Sequence, residues 1–74
     1  MSEEAGARVL LGVRGLDDDE GRRYVREALE AIPGVLSATP GDAGQVEVRY
    51  DDGEATVMDM IRALRRLGYL AGME

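Results

Sequence analysis

Val9, Leu11 and Val13 fall at every second position, and Val25, Ala28, Leu29 and Ile32 then fall on one helical stripe. The same two-step returns later, with Val46, Val48 and Tyr50 alternating before Val57, Met60, Ile61, Leu64 and Leu67 form a second stripe. A period of two marks a strand with one face in the core, and a period near 3.6 marks a helix that buries one side. This repeated switch of period constrains the fold most, because every strand face and every helical stripe must find an apolar partner.

The residues between the periodic runs set the boundaries. A strand is predicted over Ala7 to Val13, and a helix from Asp17 or Asp18 to the Pro33-Gly34 stop, where proline cannot continue the hydrogen-bond ladder. Val35 to Thr39 is a short strand, Pro40 to Gly44 is dense in turn residues, and Gln45 to Tyr50 completes a hairpin. Asp51 to Glu54 is a loop, and Thr56 with Asp59 three residues on is a helix-starting pair. Gly68 is placed to cap the second helix, leaving Tyr69 to Ala71 for a last short strand. A chain of this order can bury both stripes against one sheet face. The expected class is α+β: a ferredoxin-like βαββαβ sandwich, a four-stranded antiparallel sheet with two helices on one face. Residues 7–74 make one domain, and Met1 to Gly6, small and acidic, is expected to be a flexible tail.

Composition narrows the chemistry. The 74 residues include neither cysteine nor histidine. Disulfides, thiolate or imidazole metal sites, redox dithiols and His-based catalytic triads are excluded, and no ordinary pairing of nucleophile and base remains for an enzyme. Fifteen acids against nine arginines give a net charge of −6, which disfavours a nucleic-acid partner. No run reaches the length of a membrane span and the first residues carry no export pattern, so a cytoplasmic location without membrane insertion is expected.

The stretch Gly15-Leu16-Asp17-Asp18-Asp19-Glu20-Gly21 joins the first strand to the first helix. One reading makes its acids a helix start. Asp17 and Glu20 have the spacing of a capping box, the other acids favour the positive helix end, and Asp18–Arg22 and Asp19–Arg23 are i to i+4 pairs. The other reading makes Asp17, Asp18, Asp19 and Glu20 a hard-cation site for Ca(II), Mg(II) or Mn(II), although Gly21 and Ala28 break the EF-hand pattern. Met58, Met60 and Met73 invite a thioether site for Cu(I), but Met60 lies on the core stripe and serves as packing. Arg62, Arg65 and Arg66 fall on the wet side of the second helix, where a docking surface and an ordinary solvated face look alike.

From about Val13 to Tyr69 the chain resembles the heavy-metal-associated domain, the small metallochaperone module also found at the N-termini of copper and zinc pumping ATPases. That family reads Gly-Met-Thr-Cys-x-x-Cys, an amphipathic helix closing on Pro-Gly-Val, a Val-x-Tyr-Asp strand and a second helix ending in Gly-Tyr. Gly15 to Gly21 occupies the first motif here, Pro33-Gly34-Val35 the second, Val48-Arg49-Tyr50-Asp51 the third and Gly68-Tyr69 the last. The family cysteines fall at Asp18 and Gly21, so the soft-metal ligands are gone. Leu16 stands for the family's methionine as an apolar plug, and Tyr69 for the residue beside the metal loop.

The resemblance implies a non-catalytic domain of the metal transport and chaperone type that has lost its thiol ligands and acts through protein contacts or regulation. A metal-transport ATPase or a related domain is the partner it suggests. No cofactor is expected beyond a weak divalent cation on Asp17 to Glu20, the alternative function. A second alternative is an ACT-type small-molecule sensing domain, which shares the element order. The oligomeric state, and whether this is a full protein or an excised domain, stay open.

Overall fold

The computed structural model describes residues 6–74, so the expected tail lies outside the described residues apart from Gly6. The elements are β1 (Ala7–Arg14), α1 (Asp19–Glu30), β2 (Val35–Pro40), a 3-10 turn (Asp42–Gly44), β3 (Gln45–Tyr50), α2 (Val57–Arg66) and β4 (Leu70–Met73). The sheet runs β2-β3-β1-β4 with every neighbour antiparallel. This is the ferredoxin-like sandwich that the alternation of periods requires.

Register follows from the side-chain pattern. Val9 pairs with Val48 and Leu11 with Val46, so alternating apolar residues from two strands share one face. Those four residues and Val13 join Val25 and Leu29 of α1 and Met60 and Leu64 of α2 in a single buried cluster. Both helical stripes therefore cover the same sheet face. The opposite face carries Arg8, Leu10 and Arg14 of β1 with Gln45, Glu47 and Arg49 of β3, all exposed.

Each helix starts on a side-chain cap. In α2 the full capping box forms: Asp59 N–H donates to Thr56 Oγ1 at 3.2 Å, and Thr56 N–H donates to Asp59 Oδ2 at 3.1 Å. In α1 the cap is Asp18, not Asp17: its Oδ1 accepts from Gly21 N–H at 2.8 Å. Glu20 thus lies one residue short of the position from which a box could close, and the Asp17–Glu20 box does not form. The physical reason lies upstream, where Leu16 is buried under the loop and Asp18 is left extended at φ −137°.

Two boundary expectations shift. Leu67 was expected on the buried stripe and is 46% exposed. Helix α2 ends at Arg66, and Gly68, at φ 96°, turns the chain so that Tyr69 N–H donates back to Leu64 O at 3.0 Å. Tyr69 then packs against the core in place of Leu67, and β4 begins at Leu70 instead of Tyr69. At the other end of the molecule Gly34 adopts φ 97°, and a Cβ there would come within 2.7 Å of Glu54 Cβ. The turn after α1 needs glycine for both reasons.

Candidate functional site

The loop between β1 and α1 is built from below. Leu16 is 4% exposed and joins the core cluster beneath the loop. Asp17 points into solvent, Asp18 turns back to cap α1, and Asp19 and Glu20 occupy the first turn of the helix with exposed side chains. Asp19 Oδ1 accepts from Arg22 Nη1 at 2.7 Å. Among the described residues this i to i+3 contact stands in place of the expected i to i+4 pairs, and the Asp18 carboxylate serves the Gly21 amide. The Asp19–Arg22 pair sits at the surface, where screening leaves an ion pair little net effect on stability.

The four acids do not converge. Among the described residues no group of three or more Asp, Glu, His or Cys side chains is placed to hold a metal ion. What the fold does bring together is Asp18, Gly21, Leu16 and Tyr69. Gly21 is buried in the first turn of α1, and a Cβ built on it would lie 2.8 Å from Asp18 Oδ1, 2.8 Å from the Tyr69 hydroxyl oxygen and 3.3 Å from Leu16 Cδ1. At the first two distances the Asp18 carboxylate and the Tyr69 hydroxyl would have to shift to admit it. The space that a side chain at position 21 would enter is therefore held by the end of the Tyr69 ring.

Sequence reasoning placed Tyr69 beside this loop but missed its contact with Gly21. The signal was present: position 21 lies one helical turn before Val25 on the buried stripe, and glycine at an apolar stripe position marks a close approach. Tyr24, also passed over, is 54% exposed on the outer side of α1. Met58 is exposed on α2 and Met73 on β4, while Met60 is fully buried in the core as expected.

A four-stranded ferredoxin-like sheet, both helices on one side, and a β1–α1 loop braced by an apolar plug and a tyrosine define a small α+β sandwich domain. No family model matches the chain. It is, however, 37% identical over 70 residues to the copper chaperone CopZ of Staphylococcus aureus (strain JH9), covering 93% of this chain and 96% of that relative. A solved CopZ metallochaperone superposes with a TM-score of 0.86 at 34% identity, over 89% of this chain and 100% of that one. The N-terminal domain of a potential copper-translocating P-type ATPase from Bacillus subtilis, solved in its Cu(I)-loaded state, superposes with a TM-score of 0.86 at 26% identity, over 92% of this chain and 86% of that one. The chain belongs to the copper-chaperone-like heavy-metal-associated domain family, and it does so without cysteine.

Proposed function

We propose that this chain is a non-catalytic, thiol-free member of the metallochaperone family that acts by docking to another protein of the metal-transport machinery. The observation that carries the reading is what stands at the two positions where the resemblance places the family cysteines. Asp18 has become the N-cap of α1, and Gly21 admits the Tyr69 hydroxyl, while the surrounding frame keeps the family geometry. A frame kept after its ligands are gone points to a role for the surface it presents. At the loop end that surface offers exposed charges of both signs: Asp17, Asp19 and Glu20 beside Arg14 and Arg23, with Arg65 and Arg66 closing α2. Mixed charges favour register and encounter rate over raw affinity, as suits a transient partner. The partner class proposed is the soluble domain of a metal-transport ATPase, supported by the likeness to such a domain. The cytoplasm is the compartment proposed, in keeping with that partner.

The test is a titration of isotope-labelled protein with the N-terminal domain of a copper-translocating ATPase, followed by NMR. Shift changes centred on Gly15 to Gly21 and on Arg65 and Arg66 support docking, and an unperturbed spectrum rejects it. Binding of Ca(II), Mg(II) or Mn(II) at Asp17 to Glu20 is the competing reading, and the same spectra recorded as each cation is added decide it. A response no stronger than that of the acidic loop Asp51 to Glu54 retires the cation site. Nothing beyond the shared element order favours an ACT-type sensing role.

A further inference from the structure

The two edges of the sheet are treated unequally. Gly41 N–H donates to Gln45 O at 2.7 Å, and the alternation of an antiparallel ladder then turns the backbone groups of Ala38 and Pro40 outward from β2. Neither offers a free donor. Ala38 N–H donates to Glu30 Oε2 at 3.1 Å, and proline has no N–H. A register shift between Val35 and Ser37 distorts the rest of that strand. Each of these devices prevents another strand from adding to an edge.

None of them protects β4. Glu74 N–H donates to Leu10 O at 3.0 Å, so the same alternation directs Gly72 and Leu70 toward β1 and turns the N–H and C=O of Ala71 and Met73 outward. Among the described residues no hydrogen bond takes those outward groups. The strand reads Leu-Ala-Gly-Met, with no charge, proline or bulge, and Leu70 and Met73 are 60% and 67% exposed.

We infer that the β4 edge pairs with the β4 edge of a second copy of this chain, antiparallel across a twofold axis at Gly72, to form one sheet running through both copies. In that register Ala71 of one copy lies opposite Met73 of the other, which joins the outward backbone groups in two reciprocal pairs. Gly72 faces its own counterpart on the axis and brings no side chain between the strands. Charge selects a second copy over an unrelated strand. The two ends of β4 are oppositely marked, with Arg14 directly across from Leu70 at one end and Glu74 at the other. Antiparallel self-pairing sets Glu74 of each copy opposite Leu70 of the other, on the open sheet face that also bears Arg14. The Glu74 carboxylate lies on that face turned back over Gly12 of its own copy, so pairing swings it outward toward Arg14 of the other. The net charge of −6 per copy opposes association at low ionic strength, so the pairing belongs at physiological salt, where repulsion beyond about 8 Å is screened.

Sedimentation equilibrium of the full chain over a concentration series, with amide exchange by NMR on the same samples, tests the inference. The expected result is a reversible monomer–dimer equilibrium in which Ala71 and Met73 amides gain protection as concentration rises. Met73→Pro removes only an outward N–H and is expected to abolish the dimer while retaining the monomer fold by circular dichroism. Glu74→Arg is expected to weaken the dimer at least tenfold, and Arg14→Glu added to it to recover most of that loss. A monomer at every concentration overturns the inference, as does a dimer that survives Met73→Pro with Ala71 unprotected, or charge variants that leave the equilibrium unmoved.

Discussion

Asp18 and Asp17 differ by one position and by nearly all of their structural role. Asp18→Ala is expected to lower stability by about 1 kcal/mol, the usual effect of deleting a side-chain N-cap, whereas Asp17→Ala leaves it within about 0.5 kcal/mol. Urea denaturation of the two variants side by side checks this, and equal losses would return the cap to Asp17. The sequence alone did not separate them. Both residues are good caps, and Glu20 three positions after Asp17 imitates a capping box; burial of Leu16 makes the choice. A second prediction concerns Gly21. Gly21→Cys alone brings a Cβ against the Asp18 carboxylate and the Tyr69 hydroxyl, both side-chain ends that can swing aside, and is expected to cost about 1 kcal/mol, the low end of overpacking. In the Asp18→Cys, Gly21→Cys double variant the carboxylate contact is gone, and adding Tyr69→Phe removes the hydroxyl as well. Affinity for Cu(I) is expected to rise from the double to the triple variant, read by competition with a Cu(I) chelator. A folded triple variant that holds no copper would mean that this loop does not correspond to the family motif.

Among the elements, the helices were the most legible, because two apolar stripes and two side-chain caps mark them, α2 to the residue by Thr56 and Asp59 and α1 to within one position. The ends were less so. The position of Gly68 fixes where α2 stops, yet the replacement of Leu67 by Tyr69 in the packing depends on how the chain turns into β4, a tertiary effect with no local signature. The 3-10 turn between β2 and β3 was legible as a turn but not as a strained one: Ala43 sits at φ 59°, a left-handed conformation that alanine adopts at a cost of about 1 to 2 kcal/mol. Ala43→Asn is expected to raise stability by about 0.5 to 1 kcal/mol, since asparagine tolerates that region. Thermal unfolding measures it, and an unchanged midpoint would place the strain elsewhere. Glu30 belongs to α1 but serves β2. Glu30→Ala is expected to speed amide exchange at Ala38, whose N–H loses its acceptor, and to destabilise by about 1 kcal/mol.

For the molecule as a whole, element order decided the fold and absence decided the chemistry. Two strand–helix units can bury both stripes on one side of a sheet in few ways, so the architecture could be read before any coordinate. The absence of cysteine and histidine, and with it of thiolate and imidazole ligands, could be read equally early. Purified protein is accordingly expected to hold neither Cu(I) nor Zn(II) with chaperone-like affinity, because linear and tetrahedral soft sites need thiolate or imidazole. One equivalent of copper retained against a strong chelator would redirect attention to the exposed Met58 and Met73. What could not be read was how Asp18, Gly21 and Tyr69 come together, since that depends on residues far apart in the chain meeting at one point. The contact between Gly21 and Tyr69 also bears on descent. A cysteine at position 21 would ask the Asp18 carboxylate and the Tyr69 hydroxyl to move aside, and one at position 18 would remove the cap of α1. The family pattern joins a cysteine at position 21 with the same Gly-Tyr, so the hydroxyl is a movable neighbour, and the Asp18 cap is what a returning cysteine pair would displace.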